Sequence, residues 1–595
     1  MIRKNPGRVP EAVDGIQYNC CKNPHCSNFG VSVPAKSVYG NSPYTAVNVG
    51  RNHKGFRCNA CGEHFIAKSN QAIYEEFLRL TDYLKPKQIC CPNQDCTNHT
   101  VPVGTKKAYR SFGYQESGSK RYRCNSCKKT FSVALPTKGQ HDTTHNEAIF
   151  KMLVNKVPFN RIVHMLGINW DMFYRRIDFI HKQCMDFAAA QENELYQLDF
   201  DRLYLSVDRQ NHSVNWVERG DKRNTILNAI ATADNVTGYV FGVHPNFDMS
   251  VNRIDAQKEA NFIGDEKFDP AFRKFARIWL NADYEKALDR ASTRKKSKPT
   301  TSLKDTISDK YADVSQKEDT EESDLTGLDK LPEYGVQVKS EYTMFAHFLA
   351  IKELFGYVGK YRFFLDQDSG IRGAFMNAYK DEVTAKTADA FFVAIEKDLT
   401  VDEKRKLKNT SNRMVADYLK ANPSMTKEEA ELALLKVEIQ NVQPIGQWND
   451  KWVHHPLPNM AEANKSMCWL TEDQSMSLDH KAWLYNKASL HSVDSFFQKV
   501  RRRVSMLERP IHSASSTGRV WNGYGAYNPA MVGKLLDIFR IVHNYIDTKD
   551  ESYETGFFNK KNGKPEKKVK TTTAAMRIGL TAKPYTYEEV LCFNQ

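Results

Sequence analysis

The sequence contains no uninterrupted apolar run of about 18 residues, the length that a membrane-spanning helix requires, so we expect no membrane contact. Its first residues, Met-Ile-Arg-Lys-Asn-Pro, lack the apolar segment of a signal peptide, so we expect a cytoplasmic protein. Cysteine is scarce after residue 130, where only Cys184, Cys468 and Cys592 occur. The other ten cysteines precede them, and without export we expect metal binding rather than a disulfide framework.

The chain is long and positively charged. Its 595 residues exceed what one hydrophobic core supports, so we expect several domains. Lysine and arginine outnumber aspartate and glutamate by 85 to 71, which gives a net charge of +14. Such an excess favours a polyanionic partner such as nucleic acid.

The ten early cysteines form a cassette that occurs twice. Each copy has a Cys-Cys-x₄-Cys segment, then a Cys-x-x-Cys segment followed four residues later by phenylalanine. The two segments of one copy together supply the four soft ligands that zinc binds at tetrahedral corners. Because the cassette occurs twice, we predict two zinc ribbons. The predicted ligands are Cys21, Cys26, Cys58 and Cys61 for one Zn²⁺, and Cys91, Cys96, Cys124 and Cys127 for the other.

Other residues in the cassettes are alternative ligands. These are Cys20 and Cys90, and more weakly His25, His64 and His99. A zinc ion with four protein ligands has no open position, so we expect both ions to be structural and catalysis to occur elsewhere.

Behind the ribbons the apolar residues recur with a helical period. Residues 146–154, 158–167 and 168–180 predict three helices, with Gly167 at the turn between the last two. This pattern is typical of a helix-turn-helix, in which Arg175 and Arg176 on the last helix would contact DNA. An ordinary helical hairpin is the alternative interpretation.

From residue 201 the pattern changes to the alternation of strands. We predict strands at 202–208, 225–232 and 238–244, a helix near 272–288, and a parallel strand at 360–365. This order is typical of a ribonuclease-H-like mixed sheet. Asp208 and Asp366 would then lie side by side at strand ends, where two close carboxylates bind divalent metal. Asp368 is the rival to Asp366.

The later segments 491–510, 518–529, 540–545 and 573–580 complete a resemblance to DDE-type insertion-sequence transposases over most of the chain. In that family a third acid on a late helix precedes a run of arginines. Here Asp494 precedes Arg501, Arg502 and Arg503, although the family usually has glutamate at this position. The resemblance therefore implies an Asp208–Asp366–Asp494 triad, with Glu508 as the alternative third acid.

The resemblance also implies the chemistry and the partners. It implies phosphoryl transfer on DNA with two catalytic Mg²⁺ ions held by the triad, while at least one of the three arginines contacts phosphate. The expected partners are double-stranded DNA, as element ends and target, and further copies of the chain in a dimer or larger synaptic complex. We would expect such a protein to associate with the nucleoid in the cytoplasm of a prokaryotic cell.

Two other functions remain open at this stage. A catalytically dead, domesticated DNA-binding regulator is favoured by the aspartate at position 494. A nuclease of the same fold without strand transfer is the second. For the arginines, a solvated helix face is the alternative interpretation, and His491 is as compatible with a structural role as with assistance at the site.

We therefore predict a multidomain α/β chain with helical and disordered insertions. Its predicted parts are zinc ribbon 1 (1–75), zinc ribbon 2 (76–138), the helix-turn-helix module (139–197), the first part of the catalytic core (198–285 and 340–400), a flexible insertion (286–339), a helical insertion (401–445), the last part of the core with the third acid (446–548), and a basic C-terminal tail (549–595).

Overall fold

The computed structural model describes most of the chain. The described residues are 8–34, 42–49, 53–85, 89–218, 220–293, 302–314, 325–396, 399–442, 444–445, 450–512, 520–558 and 565–594. Parts of the predicted flexible insertion (294–301 and 315–324) and of the predicted tail (559–564 and 595) lie outside these ranges.

The described elements are as follows. The helices are α1 (Asn70–Thr81), α2 (Asn146–Leu153), α3 (Phe159–Leu166), α4 (Trp170–Asn193), α5 (Arg253–Ile263), α6 (Asn281–Thr293), α7 (Leu303–Val314), α8 (Ser340–Glu353), α9 (Ser369–Ala378), α10 (Lys380–Thr384), α11 (Val401–Ala421), α12 (Lys427–Gln440), α13 (Leu478–Lys487), α14 (His491–Arg503), α15 (Ala530–Ile541), α16 (Ala574–Ile578) and α17 (Tyr587–Leu591). The strands are β1 (Tyr44–Val49), β2 (His53–Cys58), β3 (His64–Ile66), β4 (Tyr109–Tyr114), β5 (Lys120–Cys124), β6 (Thr130–Ser132), β7 (Asp199–Val214), β8 (Thr225–Asp234), β9 (Val240–Pro245), β10 (Phe247–Asp248), β11 (Val336–Gln337), β12 (Tyr357–Asp366), β13 (Ala388–Ile395), β14 (Pro444–Ile445), β15 (Asp450–His454), β16 (Lys465–Trp469), β17 (Ile511–His512), β18 (Val520–Trp521), β19 (Lys549–Phe558) and β20 (Pro565–Thr572).

The chain divides into two units. The first comprises Met1–Leu80, Asp199–Lys499 and Arg509–Gly533, and the second comprises Thr81–Leu198, Val500–Glu508 and Lys534–Gln595. The first Cys₄ segment thus belongs to the unit that contains the large sheet, and the second Cys₄ segment belongs to the other unit.

A mixed sheet forms the centre of the first unit. Its order is β14-β15-β16-β13-β12-β7-β8-β9, and β12 runs parallel to both β7 and β13 while the outer strands are antiparallel. The predicted strands 202–208, 225–232, 238–244 and 360–365 are confirmed as β7, β8, β9 and β12. The predicted end of the first strand is wrong, because β7 continues to Val214 and Asp208 lies within it. The stretches 361–365 of β12 and 388–394 of β13 are buried, because both faces of these central strands are covered.

Helices α8 and α9 cover one face of this sheet. The ring of Phe348 on α8 packs against Phe363 of β12, and Phe375 and Tyr379 from α9 and its end join them. The other face carries Tyr204 and Phe364, whose rings stack at 6.5 Å, and Tyr204 also meets Trp483 of α13. Because side chains alternate along a strand, the residues two positions after Tyr204 and Phe364 point to this second face.

The first Cys₄ segment packs closely against the core of its own unit. Phe272 packs on the cluster that includes Tyr44, Phe56 and Cys58, and the side-chain amide of Asn377 on α9 donates to the carbonyl oxygen of Tyr18. These contacts explain why the structure groups this segment, predicted as a domain of its own, with the sheet.

The second unit contains the three helices predicted behind the ribbons. They are confirmed as α2, α3 and α4, although α4 continues to Asn193, well beyond the predicted end. Gly167 ends α3 with a positive φ of 62°, which glycine adopts without steric cost. The Asn169 side chain then caps α4 by accepting from the Met172 backbone N–H at 2.7 Å.

Segments expected to be flexible also contain regular structure. The region 286–339 includes α7 and β11, and the predicted tail includes an antiparallel hairpin of β19 and β20 followed by α16 and α17. The many lysines of this segment interrupt the apolar–polar alternation from which a strand is predicted. Within the described ranges, no helix combines the length and apolar character that crossing a bilayer requires.

A buried charge network in the first unit yields a stability prediction. The Glu76 side chain on α1 is fully buried and binds Arg79 and Arg277, and it accepts from the Thr343 hydroxyl at 2.9 Å. Burial raises the pKa of Glu76, but the two guanidiniums outweigh it and hold that pKa below its ordinary value. We expect Glu76→Ala to destabilise this unit by about 3–5 kcal/mol in urea unfolding, because it breaks a buried ion pair.

The neighbouring residue provides the control. The Glu75 side chain is 40% exposed, and its carboxylate lies 3.7 Å from Nε of Arg277. We expect Glu75→Ala to cost less than about 1 kcal/mol. Equal destabilisation by the two variants would show that the buried network does not hold α1 in place.

Candidate functional site

The structure brings the eight predicted zinc ligands together in two groups of four. In each group the ligand atoms lie within 4.8 Å of one another, and no other such group of at least three His, Cys, Asp or Glu side chains occurs among the described residues. The Sγ–Sγ distances are 3.6 Å for Cys21–Cys61 and Cys26–Cys58, and 3.4 and 3.6 Å for the two pairs of the second group.

These distances suit a tetrahedral zinc ion. Zn–S bonds of about 2.3 Å place two sulfurs about 3.8 Å apart, whereas a disulfide would require about 2.05 Å. No disulfide joins the described cysteines. Both groups can therefore hold one structural zinc ion each.

The two groups share their surroundings residue by residue. Asn28 and Asn98 each donate from the backbone and the side chain to two of the sulfurs. Tyr44 and Tyr109 each accept from the backbone N–H of the first ligand, at 2.8 Å in both groups. Donation from the Asn98 backbone lowers the pKa of Cys96 to about 6, which favours the thiolate that binds metal.

These asparagines and tyrosines were not predicted from the sequence. A signal was present, since each asparagine follows the third cysteine of its copy by two residues. The alternative ligands lie outside the groups: the Cys20 sulfur accepts from Asn377 at 3.4 Å, and His99 Nδ1 lies 2.8 Å from the Cys91 carbonyl oxygen.

Asp208 and Asp366 lie on adjacent parallel strands in the same register. Leu365 of β12 pairs with Val207 of β7, so the next residue on each strand is an aspartate. Neighbouring strands are about 4.8 Å apart, and in-register side chains point to the same face. This face is the one that carries Tyr204 and Phe364.

The helix that carries Asp494 begins on that same face. The Val493 backbone N–H on α14 donates to the Ser206 hydroxyl at 3.2 Å, and Ser206 precedes Asp208 by two residues on β7. The structure therefore places Asp208 and Asp366 on one face of the sheet and the start of the helix that carries Asp494 on the same face. Their ligand atoms do not form a closed group of the kind that the cysteines form.

A buried carboxylate anchors the start of α14. Glu462 accepts from the Leu490 backbone N–H at 3.0 Å and from the Ser489 hydroxyl at 2.6 Å. Lys465 Nζ lies 2.8 Å from Glu462 and also donates to the Ala488 carbonyl oxygen. Burial raises the pKa of Glu462, but Lys465 holds it below the ordinary value, so the anchor is an ion pair.

The two alternative acids have other partners. Asp368 caps α9 by accepting from the Gly370 and Ile371 backbone N–H groups, and it forms an ion pair with Arg209. Glu508 belongs to the second unit and forms an ion pair with Lys156 at 2.8 Å. The sequence offered no signal for Arg209, because its pairing depends on the register of β7 and β12.

The five predicted DNA-contacting arginines differ in exposure. Arg176 is 8% exposed and donates to the Asp142 carbonyl oxygen, whereas the Arg175 side chain is 75% exposed and pairs with Asp171 on the same helix. Arg503 donates to the Val154 carbonyl oxygen and forms an ion pair with Asp547. Arg502 is exposed and Arg501 half-buried, so Arg175 and Arg502 are the most accessible of the five.

No protein-family model matches the chain, and no curated protein shows a significant match to it.

The cysteine groups generate a prediction of metal content. We expect the purified chain to hold two zinc ions, and Cys58→Ser and Cys124→Ser to hold about one each, because each variant opens one of the two groups. Inductively coupled plasma mass spectrometry measures the number of zinc ions per chain. Cys592→Ser, at an exposed cysteine outside both groups, is the control and should keep two. Two zinc ions retained in Cys58→Ser would exclude the assigned ligand set.

Proposed function

We propose that the chain is a DDE-type transposase, a metal-dependent enzyme that binds DNA ends, cleaves DNA strands and joins them. The placement of Asp208 and Asp366 in register on two central parallel strands carries this proposal. Carboxylates in such a pair repel each other unless a cation lies between them, and oxygen ligands suit Mg²⁺.

The topology of the sheet supports the proposal. Across the sheet, the three antiparallel strands β9, β8 and β7 lie next to the parallel strands β12 and β13. This order is expected for a ribonuclease-H-like core. The acids lie on β7, at the end of β12 and in the first turn of α14, where the resemblance to transposases places the triad.

The residues that would hold Mg²⁺ are Asp208, Asp366 and Asp494. Two bound ions would supply activation of the attacking oxygen and stabilisation of the leaving oxygen. The surrounding residues hold these acids in place: Ser206 fixes the start of α14, and the Arg209–Asp368 ion pair fixes the turn after β12. Because Asp368 is already a helix cap in an ion pair, we favour Asp366 as the ligand.

The second unit supplies features suited to DNA. Helix α3, the turn at Gly167 and helix α4 have the order of a helix-turn-helix, with exposed Trp170, Tyr174 and Arg175 on the first turns of α4. Two zinc ribbons and the net charge of +14 suit the same partner. We propose double-stranded DNA as the partner, bound by a dimer or larger assembly of the chain.

A cleavage assay tests the proposal. With Mg²⁺ or Mn²⁺ and labelled duplexes taken from the DNA that flanks the coding sequence, we expect cleaved and joined products. Asp208→Asn and Asp366→Asn should each lower the rate at least about 100-fold, or about 2.7 kcal/mol in the barrier, because each removes a metal ligand. Gel analysis of both product classes measures this.

Asp201→Asn is the matched control, because Asp201 lies on the same strand with a side chain that is 94% exposed. It should keep wild-type rates. Cleaved but never joined products would identify a nuclease of this fold. Duplex binding with no cleavage in either metal would contradict an enzyme and identify a regulator.

A further inference from the structure

The sheet of the second Cys₄ module presents a basic and aromatic face. Strand β4 pairs with β5 so that Arg110 lies opposite Arg123, and alternation places Phe112 and Arg121 on the same face. The guanidinium of Arg121 lies 5.3 Å from the centre of the Phe112 ring, and that of Arg123 lies 6.0 Å from it. We call these four residues the stacking face.

The opposite face of the same sheet has a different role. Tyr109 and Tyr122 pack against Phe131 there, and Tyr109 contacts the zinc ligands. Apart from Arg123, whose side chain donates to the Lys128 carbonyl oxygen at 3.2 Å, no residue of the stacking face takes part in these contacts around Phe131 and the cysteines.

Exposure and charge distinguish this face. Phe112 is 42% exposed. Tyr114 is 68% exposed, but the register shift between Ser111 and Tyr114 pairs it with Lys120 on the opposite face. Strands β4 and β5 carry four basic residues and no acidic one, and Glu116 in the connecting turn is the only acid of the hairpin. A large aromatic ring that stays in water among uncompensated cations suits a ligand with flat rings and negative charge.

The first Cys₄ module provides an internal comparison. Its pairing of Tyr44 with Cys58 matches that of Tyr109 with Cys124. The positions of Arg110, Phe112, Arg121 and Arg123 are then occupied by Thr45, Val47, Gly55 and Arg57. A side chain at Gly55 would meet Val49 at 2.5 Å and the Phe65 carbonyl oxygen at 2.6 Å. The first module therefore cannot form the same face.

We propose that the stacking face binds single-stranded DNA, with unpaired bases stacked on Phe112 and the neighbouring phosphates on Arg110, Arg121 and Arg123. Stacking on aromatic side chains within a basic groove is how proteins hold single strands without reading their sequence. The choice of DNA over other polyanions rests on the proposed function, since strand cleavage and joining expose unpaired nucleotides.

Fluorescence anisotropy with the full chain tests this proposal. The Asp208→Asn background without added divalent metal separates binding from cleavage, so this test remains interpretable even if the chain proves not to be an enzyme. The probe is a labelled oligo(dT) of about 20 nucleotides, long enough to fill a single-strand site of about 4–16 nucleotides. We expect Phe112→Ala to weaken binding about 5- to 150-fold, and Phe112→Tyr to retain it because the ring remains.

Matched variants complete the experiment. Val47→Ala, at the equivalent position of the first module, and Ser111→Ala, on the opposite face of β4, should bind oligo(dT) as the parent does. Retention of two zinc ions confirms that Phe112→Ala is folded. Parent-like oligo(dT) affinity in Phe112→Ala would overturn the proposal. An equal loss for duplex DNA would indicate a general phosphate contact, and a loss confined to oligo(U) would indicate RNA; either result would also overturn it.

Discussion

The parallel pairing of β7 with β12 is the constraint on which the proposed active site depends. Val207 and Leu365 lie side by side and are fully buried, so the aspartates that follow them lie side by side as well. A shift by one residue would turn Asp208 toward the face covered by α8 and α9, because side chains alternate along a strand. Burial of the apolar residues on both faces therefore fixes the position of the carboxylates.

The duplicated cysteine cassette forms two modules with one metal geometry and different surroundings. The first packs on its own unit through Phe272 and Asn377, which makes it part of the framework around the sheet. The second keeps Arg110, Phe112 and Tyr114 on exposed positions. A closed Cys₄ site only stabilises the local fold, so its function depends on the residues that the fold displays. We therefore expect the second module to make more contacts with nucleic acid than the first module does.

The sequence predicted the parts of the molecule whose pattern is local. The ligand set of both cysteine groups follows from spacing, and β7 and β12 follow from alternation, although only β12 ends at its acid. Helix α8 was missed because its residues are buried on nearly all sides, which leaves no amphipathic stripe. The contact of Val493 with Ser206 joins residues 287 positions apart, so no local pattern could place the start of α14 on the face of the sheet that carries Asp208 and Asp366. The third acid remains a prediction.

A crystal structure of the chain with Mn²⁺ and DNA tests the central claim most directly, because the anomalous signal locates the metal without assumptions. The account predicts Mn²⁺ within about 2.0–2.6 Å of carboxylate oxygens of Asp208, Asp366 and Asp494. Metal bound at Glu508 or Asp368 instead, or no metal between β7 and β12 in a complex that cleaves DNA, would contradict it.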